Sequence, residues 1–424
     1  GDTVLLATAV MSKKTRDGMD YFPLTVNYEE KYYAAGKIKG NRFTRRESRN
    51  SDWVILSGRL VDRSIRPLFD QSMRNEIQVV LTTLSYDGEN DPQIPALLAA
   101  SLVLSISPIP WAGPIAGVRV ARINGIWKIN PSVAERQRGD ADIVVAGTPD
   151  KVIMVEAGCV DVPEVEVIKA MRLGAESLAP LIAFIERIRS EVGQAKIDLK
   201  ASLSEAEARL RAVEQKAKAL VERRANDWIF DSVKKGRAER MAVVERFEAA
   251  IKQMLAEQNV EAAIQTVVMG RVKIYVEEVV SREILESGRR IDGRSVTDIR
   301  PLRIETGLLP RTHGSGLFQR GDTQVLSVVT LGAPGDEQIL ERMEGEIPKR
   351  YIHHYNDTPA TYGDTGPLRG PGNRAVGHSA LAERALEPML PDAAVFPYVV
   401  RVMSEIFGSN GSSSMASTCG STLA

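Results

Sequence analysis

The chain has 424 residues, of which 43% are hydrophobic and 26% are charged, which is the composition of a folded globular protein with two or three domains. Its 55 basic and 55 acidic residues cancel, so net charge cannot attract a nucleic acid and only a local basic patch could. The two cysteines, Cys159 and Cys419, argue against a disulfide framework and favour a reducing cytoplasmic setting.

Strand patterns dominate the first part of the chain, where short apolar runs are bounded by turn residues. They cover residues 3–10, 78–84, 115–123, 143–146 and 152–155. The uncharged stretch 92–118 is interrupted by prolines, and its longest proline-free run of about a dozen residues is too short to span a membrane. We therefore expect no membrane partner, and we predict a buried helix from about residue 96 to 104.

Helical patterns follow the first strands. An apolar stripe that includes Val165, Ile168 and Met171 predicts a helix-rich stretch over 161–192. Strand signals are then absent from 196 to 288, where glutamate, lysine, arginine and alanine dominate. We predict an all-α domain there, with solvated charged faces. Strand patterns return at 324–331 and 398–406.

The second set of strands repeats the first. Gly1-Asp2-Thr3 returns as Gly321-Asp322-Thr323, and residues 62–69 return as 383–390 at an offset of 321. A period this long indicates two related domains and not a solenoid. At that offset Ala424 matches a residue in the middle of the first copy, so we expect the second copy to be cut short.

The predicted fold is therefore α/β and has three parts. Residues 1–195 form a first core, 196–288 form a helical domain, and 289–424 form a second core, each core being a mixed sheet with helices. Matched positions carry Arg63 and Arg384. Because the arginine occurs in both copies, we interpret each as the structural partner of the acid that precedes it.

A serine-rich loop follows the last predicted strand and leads into a helix of small residues. Ser412, Ser413 and Ser414 gather hydroxyls and unpaired amides at a helix N-terminus, a geometry that binds phosphate. An ordinary N-cap with a flexible turn is the alternative. The first copy has Asp91-Pro92-Gln93 at these positions, where an acid would repel an anion and proline lacks an amide donor. That difference favours the functional interpretation.

All four histidines lie in the second copy, at positions 313, 353, 354 and 378. His378 stands where the first copy has Ser57. Arg374, one helical turn earlier, makes the pair a candidate anion clamp. A structural role for the histidine is the alternative.

A basic segment in the first copy has six cations against the single acid Glu47. The cations are Lys37, Lys39, Arg42, Arg45, Arg46 and Arg49. Phe43 adds a stacking surface, and this pairing is typical of proteins that bind single-stranded nucleic acid. A solvated basic turn is the alternative.

Metal ligands are harder to find. Asp140 and Asp142 offer the oxygen ligands that magnesium prefers. The first copy has no serine loop to place a phosphate beside them, so we interpret the two carboxylates as a turn and the start of a strand.

These motifs together resemble bacterial polynucleotide phosphorylase, a family with two RNase PH-like cores separated by a helical domain. The resemblance covers essentially the whole chain. Its most specific segments are residues 22–28, 62–69, 309–315 and 409–417.

The resemblance implies an activity. Inorganic phosphate would attack the 3′-terminal phosphodiester of single-stranded RNA and release nucleoside diphosphates, reversibly, in cytoplasmic mRNA degradation. It also implies Mg²⁺ as cofactor and a homotrimeric ring.

Residue by residue, Ser412, Ser413 and Ser414 match the family's phosphate loop, and Arg374 and His378 match residues at the RNA 3′ end. The basic segment with Phe43, Arg45, Arg46 and Arg49 matches the loop that lines the RNA channel. The metal-binding carboxylates are expected beyond Ala424.

Several positions depart from the family pattern. Thr44 replaces a usual second phenylalanine, Asp357-Thr358 replaces Phe-Pro, and Asn373 and Ala375 replace arginine and glutamate. These changes weaken a stacking platform and the expected contacts at the RNA 3′ end. Because the metal ligands are expected outside the chain, a catalytically silent RNA-binding ring subunit is the alternative, and the serine loop favours the enzyme.

Overall fold

The computed structural model of the chain describes residues 1–15, 21–40, 43, 45–47, 50–198, 205–368 and 370–424. Its first copy opens with a three-stranded sheet and two helices. These are β1 (Val4–Thr15), β2 (Leu24–Glu30), α1 (Asp52–Ile65), β3 (Asn75–Ser85) and α2 (Gln93–Ile106). The sheet is mixed, as predicted, because the central β3 is antiparallel to β1 and parallel to β2.

The helix expected near residues 96–104 is α2. It carries no charged side chain, and Ala96, Leu97, Ala100 and Leu104 are completely buried. This burial explains why the stretch lacks charge. Within the residues that the structure describes, no helix combines the length and the apolar character needed to cross a bilayer.

An antiparallel sheet of order β5-β4-β6-β7 and three helices complete the first core. The elements are β4 (Ala116–Ile123), β5 (Ile126–Ile129), α3 (Val133–Arg136), β6 (Ala141–Gly147), β7 (Val152–Cys159), α4 (Glu164–Glu176) and α5 (Ala179–Val192). The three strands predicted in this region are confirmed as β4, β6 and β7. The predicted helical stretch divides into α4 and α5.

Four helices follow, with no strand among the described residues between 205 and 287. They are α6 (Glu205–Trp228), α7 (Arg237–Glu257), α8 (Ala262–Gly270) and α9 (Val272–Ser287). Phe247, Ile251 and Leu255 lie on one stripe of α7 and are completely buried against the other helices. The predicted helical region between the two cores is confirmed, while its bounds of 196 and 288 stay a prediction.

Among its described residues, the second copy has seven β-strands and two α-helices. They are β8 (Leu302–Thr306), β9 (Gly314–Arg320), β10 (Thr323–Gly332), β11 (Gln338–Glu341), β12 (Glu346–Lys349), β13 (Tyr351–Asp357), α10 (Asn373–Leu386), β14 (Val399–Gly408) and α11 (Ser413–Leu423). Its main sheet has the order β13-β14-β10-β9-β8, and β11 and β12 form a separate hairpin.

The two copies share one topology. In each, a central strand lies between an antiparallel and a parallel neighbour: β3 between β1 and β2, and β14 between β10 and β13. The helices α10 and α11 follow in the same order as α1 and α2. The duplication predicted from sequence is therefore visible in the fold.

The interpretation of the matched arginines is wrong. Asp62 pairs with Arg66, one turn later, with the Nη2–Oδ1 distance at 2.6 Å. Arg384 pairs with Glu156 on β7, and so links the two cores. Adjacent residues on a helix point in different directions, so an arginine rarely meets the acid directly before it.

A buried ion-pair network occupies the first copy where α2 begins. Arg119 on β4 is 6% exposed, and its Nη1 and Nη2 lie 2.7 Å from Asp142 and 3.1 Å from Asp91. Arg136 also pairs with Asp91. Burial opposes the ionisation of Asp91, but the two arginines outweigh it and lower the pKa of this carboxyl. The network is thus charged and internally neutralised.

We expect Asp91→Asn to lower the free energy of unfolding by about 3 kcal/mol, because it leaves a buried arginine short of counter-charge. Urea unfolding followed by tryptophan fluorescence measures the loss. Asp140→Asn is the matched control, since Asp140 pairs with the more exposed Arg122 at 2.6 Å, and it should cost clearly less. Equal losses would contradict the stabilising role of the buried network.

Candidate active site

The serine loop connects β14 to α11 through a sharp reversal. Gly411 and Ser412 have φ values of 89° and 50°, in the left-handed region, and α11 begins at the next residue. The backbone N–H groups of its first turn have no partner within the helix and lie at the positive end of the helix dipole. Ser412 is exposed, Ser414 is half-buried and Ser413 is buried. The loop therefore presents amides and two accessible hydroxyls.

The repeated Gly-Asp-Thr motif supports this loop. The Thr323 hydroxyl accepts from the backbone N–H of Asn410 at 3.0 Å and donates to the carbonyl of Gly411 at 3.3 Å. In the first copy, the Thr3 hydroxyl likewise accepts from the backbone N–H of Asp87 at 3.3 Å. The motif recurs because each copy needs a hydroxyl to brace the connection before its second helix.

Tyr355, at the end of β13, joins the serine loop to α10. Its hydroxyl lies 2.7 Å from Ser413 Oγ, and its ring centroid lies 4.9 Å from that of His378. The tyrosine is 2% exposed. Because the Ser413 hydroxyl is already engaged, Ser412 and Ser414 are the better hydroxyl donors for an anion, while Ser413 contributes its backbone.

Arg374 and His378 lie one turn apart on α10, as predicted. Arg374 is exposed and its Nε donates to His378 Nε2 at 3.4 Å. Nδ1 of His378 is buried and has no hydrogen-bond partner among the described residues. Burial first, and then the neighbouring Arg374, lower the pKa of His378. The imidazole is thus neutral at pH 7, with Nδ1 as its N–H donor.

A second cation reaches this helix from the first copy. Arg59 on α1 packs against Gly377, where a Cβ atom would lie only 2.5 Å from the arginine Nε. Glycine therefore permits the close approach of the two cores beside His378. The charge of Arg59 also contributes to the lowered pKa of His378.

The other histidines have structural contacts. His353 is 2% exposed, its Nε2 lies 3.1 Å from Ser404 Oγ and 3.0 Å from Ser421 Oγ, and burial lowers its pKa to about 4. Nδ1 of His313 accepts from the backbone N–H of Leu331 at 2.8 Å. The clustering of histidines in the second copy thus has two causes, a polar core and the candidate site.

The equivalent place in the first copy is filled. Trp53 and Ser57 stand at the positions of Arg374 and His378, and Gln93 at the start of α2 binds both Ser57 Oγ, at 3.0 Å, and the Arg119 guanidinium. The ion pairs of Asp91 with Arg119 and Arg136 occupy the remaining space at the start of α2. An anion would have to displace an internally neutralised set of charges to bind there.

The paired aspartates of the first copy are both engaged in ion pairs, and Asp142 belongs to this buried network. Asp140 accepts twice from Arg122, and Asp142 accepts from Arg119. The interpretation as a turn and strand start agrees with this placement, because Asp142 is the second residue of β6.

The basic segment follows β2 in the first copy. Phe43 is 82% exposed, and Arg45 and Arg46 are exposed too. Arg49, the fourth predicted RNA-binding residue, lies outside the described residues, as do Arg42 and Thr44. The described arginines and the phenylalanine thus face solvent, as contacts to RNA would require.

Comparison with known proteins identifies the family. A model of the 3′ exoribonuclease family, domain 1, matches residues 1–110 and 298–424, and a model of domain 2 matches residues 113–177. The chain belongs to the 3′ exoribonuclease family. The domain 1 model matches both copies in the chain, and the helices α6 to α9 lie between its two matches.

Curated relatives named polyribonucleotide nucleotidyltransferase are similar over the whole chain. The proteins of Pelotomaculum thermopropionicum, Geobacillus kaustophilus and Bacillus cytotoxicus are 45%, 47% and 48% identical to it. All of this chain is aligned, against 58%, 57% and 58% of those relatives. The chain spans just under three-fifths of the length of these relatives. The resemblance to polynucleotide phosphorylases is confirmed.

Magnesium does not fit the residues at hand. Across the described ranges, no group of three or more His, Cys, Asp or Glu side chains could hold a metal ion. Near the serine loop, Asp357 accepts from the Tyr362 hydroxyl at 2.6 Å. The metal-binding carboxylates expected beyond Ala424 therefore stay a prediction.

The sequence analysis missed Tyr355 and Thr323, which position the loop without touching an anion themselves. A signal existed for both. Thr323 belongs to the repeated motif, and Tyr355 matches Tyr28 at the corresponding place in β2, where both rings are 2% exposed. Residues kept in both copies thus mark the shared scaffold, and residues that differ mark the site.

We expect Arg374→Gln to raise the pKa of His378, because removing a neighbouring cation favours the imidazolium. A pH titration by NMR of the histidine-labelled protein measures the change. Arg401→Gln is the matched control, because the Arg401 Nη2 lies 3.4 Å from His354 Nδ1. This variant should raise the pKa of His354 and leave the pKa of His378 unchanged. An unchanged or lower midpoint for His378 would contradict the assigned pairing.

Proposed function

We propose that the chain is part of a phosphorolytic 3′-to-5′ exoribonuclease, a polyribonucleotide nucleotidyltransferase. RNA and inorganic phosphate would give nucleoside diphosphates, and the reaction would run in reverse as polymerisation. The observation that carries this proposal is the contrast at the second helix of each copy. The α11 N-terminus is open and rich in donors, whereas the start of α2 is filled by buried ion pairs.

Phosphate would bind at the start of α11. The free amides of the first turn and the hydroxyls of Ser412 and Ser414 donate to its oxygens, and the helix dipole favours its negative charge. The brace from Thr323 fixes the loop beforehand, which lowers the cost of ordering it on binding. Little covalent chemistry is then required of the protein, since positioning and charge neutralisation supply most of the catalysis.

The RNA 3′ end would lie over α10. Arg374 would neutralise charge on the scissile phosphodiester, and neutral His378, whose Nε2 accepts from Arg374 Nε, would orient that guanidinium. The bound phosphate attacks the terminal phosphorus, the bond from phosphorus to the 3′ oxygen of the preceding nucleotide breaks, and that oxygen takes up a proton. Magnesium, when bound, would add further neutralisation of the developing charge.

The basic segment would hold RNA away from the reacting bond. Arg45 and Arg46 suit backbone phosphates, and exposed Phe43 suits stacking on a base. We further propose a homotrimeric ring, so that three such segments face one channel, and a role in cytoplasmic mRNA degradation. The support for these points is the similarity to the named relatives.

The direct test is phosphate dependence of the full-length protein on unstructured RNA. Nucleoside diphosphates should appear only when phosphate is supplied. Monophosphates released without phosphate would indicate hydrolysis and contradict the proposal. Tight RNA binding with no turnover under either condition would identify the silent ring subunit instead.

Variants separate the two binding roles. We expect Ser414→Ala to raise the KM for phosphate about tenfold, because one hydrogen bond to a charged ligand is lost, with the KM for RNA nearly unchanged. Arg45→Ala with Arg46→Ala should raise the KM for RNA and leave that for phosphate. Steady-state kinetics measure both, and Ser409→Ala, earlier in the same loop, is the control. Parallel losses in both constants would show that the roles are not divided.

A further inference from the structure

The second copy carries an extra element that contacts the first. Between β10 and β13 it has the hairpin of β11 and β12, whereas the first copy joins β1 to β2 through the shorter stretch 16–23. The hairpin turn at residues 342–345 is closed by backbone hydrogen bonds between Arg342 and Gly345, at 2.8 and 3.2 Å. We call the residues 341–345 the hairpin tip.

The hairpin tip docks on the first copy. Met343 is 1% exposed, and its carbonyl accepts from Lys37 Nζ at 2.7 Å. The carbonyl of Glu341 accepts from the Tyr32 hydroxyl at 2.8 Å. The guanidinium of Arg342 lies 4.7 Å from the ring centroid of Trp53. The docking point is therefore the base of the basic segment, residues 37–49.

Tyr32 connects the hairpin tip to both sides of that segment. Its hydroxyl accepts from Lys39 Nζ at 2.7 Å, and the same ammonium lies 4.2 Å from its ring centroid. Its backbone N–H donates to the Glu47 carboxylate at 2.9 Å. Lys39 precedes the exposed Phe43 and Glu47 follows Arg46. Tyr32 is therefore tied to the segment on one side through its hydroxyl and on the other through its backbone N–H.

The cations of the basic segment therefore fall into two groups, one bound within the protein and one exposed to solvent. Lys37 and Lys39 are half-buried and are bound to a carbonyl and a tyrosine. Arg45 and Arg46 are exposed. A loop that presents arginines to a polyanion gains affinity when it is held in place before binding, because less conformational entropy is lost.

We propose that Tyr32 and the hairpin tip are positioning residues that hold the basic segment in its RNA-binding conformation. The second copy, which carries the phosphate loop, would thereby also influence the affinity of the first copy for RNA. The RNA part of this inference rests on the proposed function, whereas the anchoring of the segment does not. The two parts can be tested separately on the 424-residue chain.

Limited trypsin digestion tests the anchoring, because the segment is rich in lysine and arginine. Tyr32→Phe removes the hydroxyl that bonds Glu341 and Lys39 while keeping the ring. We expect cleavage within residues 37–49 to accelerate by at least about fivefold, because both hydrogen bonds of the hydroxyl are lost. Tyr33→Phe is the matched control, since Tyr33 is in the same turn but 60% exposed. Unchanged cleavage in Tyr32→Phe would overturn the proposal.

Binding of a fluorescein-labelled 20-nucleotide oligoadenylate tests the RNA part. We expect the Kd of Tyr32→Phe and of Met343→Ala to rise threefold to tenfold, with the melting midpoint nearly unchanged and with Met343→Leu restoring affinity. Faster cleavage with unaltered RNA affinity would overturn the positioning role. Absence of RNA binding by the unmodified chain, together with faster cleavage in the variant, would contradict the proposed function and uphold the anchoring.

Discussion

A charge buried in a protein needs a partner, and this constraint decides what each copy can do at the start of its second helix. In the first copy, Asp91 meets Arg119 and Arg136, and the space closes around ion pairs. In the second copy, Gly411 and Ser412 turn the chain without bringing an acid, so the helix amides stay open. The same scaffold thus gives one filled position and one that can accept an anion.

The duplication makes this contrast interpretable. Both copies keep a buried tyrosine, Tyr28 or Tyr355, and a threonine brace, so the framework around the two positions is alike. In the first copy the tyrosine hydroxyl lies 3.1 Å from Glu30, and burial first and then Glu344 raise the pKa of that carboxyl to about 7. In the second copy it lies 2.7 Å from Ser413. The tyrosine hydroxyl that both copies share therefore binds a carboxyl in the first copy and a loop serine in the second.

The hairpin adds an asymmetry of a different kind. It extends from the second copy over Trp53, which stands where the second copy has Arg374. In the first copy, eight residues, 16–23, separate the equivalent strands β1 and β2. The filled site is thus covered by its partner core, while Arg374 remains exposed. The hairpin tip thus does two things: it covers the filled site at Trp53, and it contacts Tyr32 and Lys37 beside the basic segment.

Sequence reasoning reached the features that are local in the chain. The echo of Gly-Asp-Thr, the serine loop and the pairing of Arg374 with His378 were all predictable, because each depends on a strand, a helix start or one helical turn. It failed where contacts join distant segments. Arg384 reaches Glu156 across the cores and Tyr32 reaches the hairpin tip, and neither contact leaves a spacing pattern.

The most direct test of the central contrast is a crystal structure of the chain with arsenate, a phosphate mimic whose arsenic can be located by anomalous scattering. The account predicts one arsenate at the N-terminus of α11, within hydrogen-bond distance of the loop amides and Ser414, and none at the start of α2. Arsenate beside Gln93 in the first copy, or its absence from the serine loop at saturating concentration, would contradict the account.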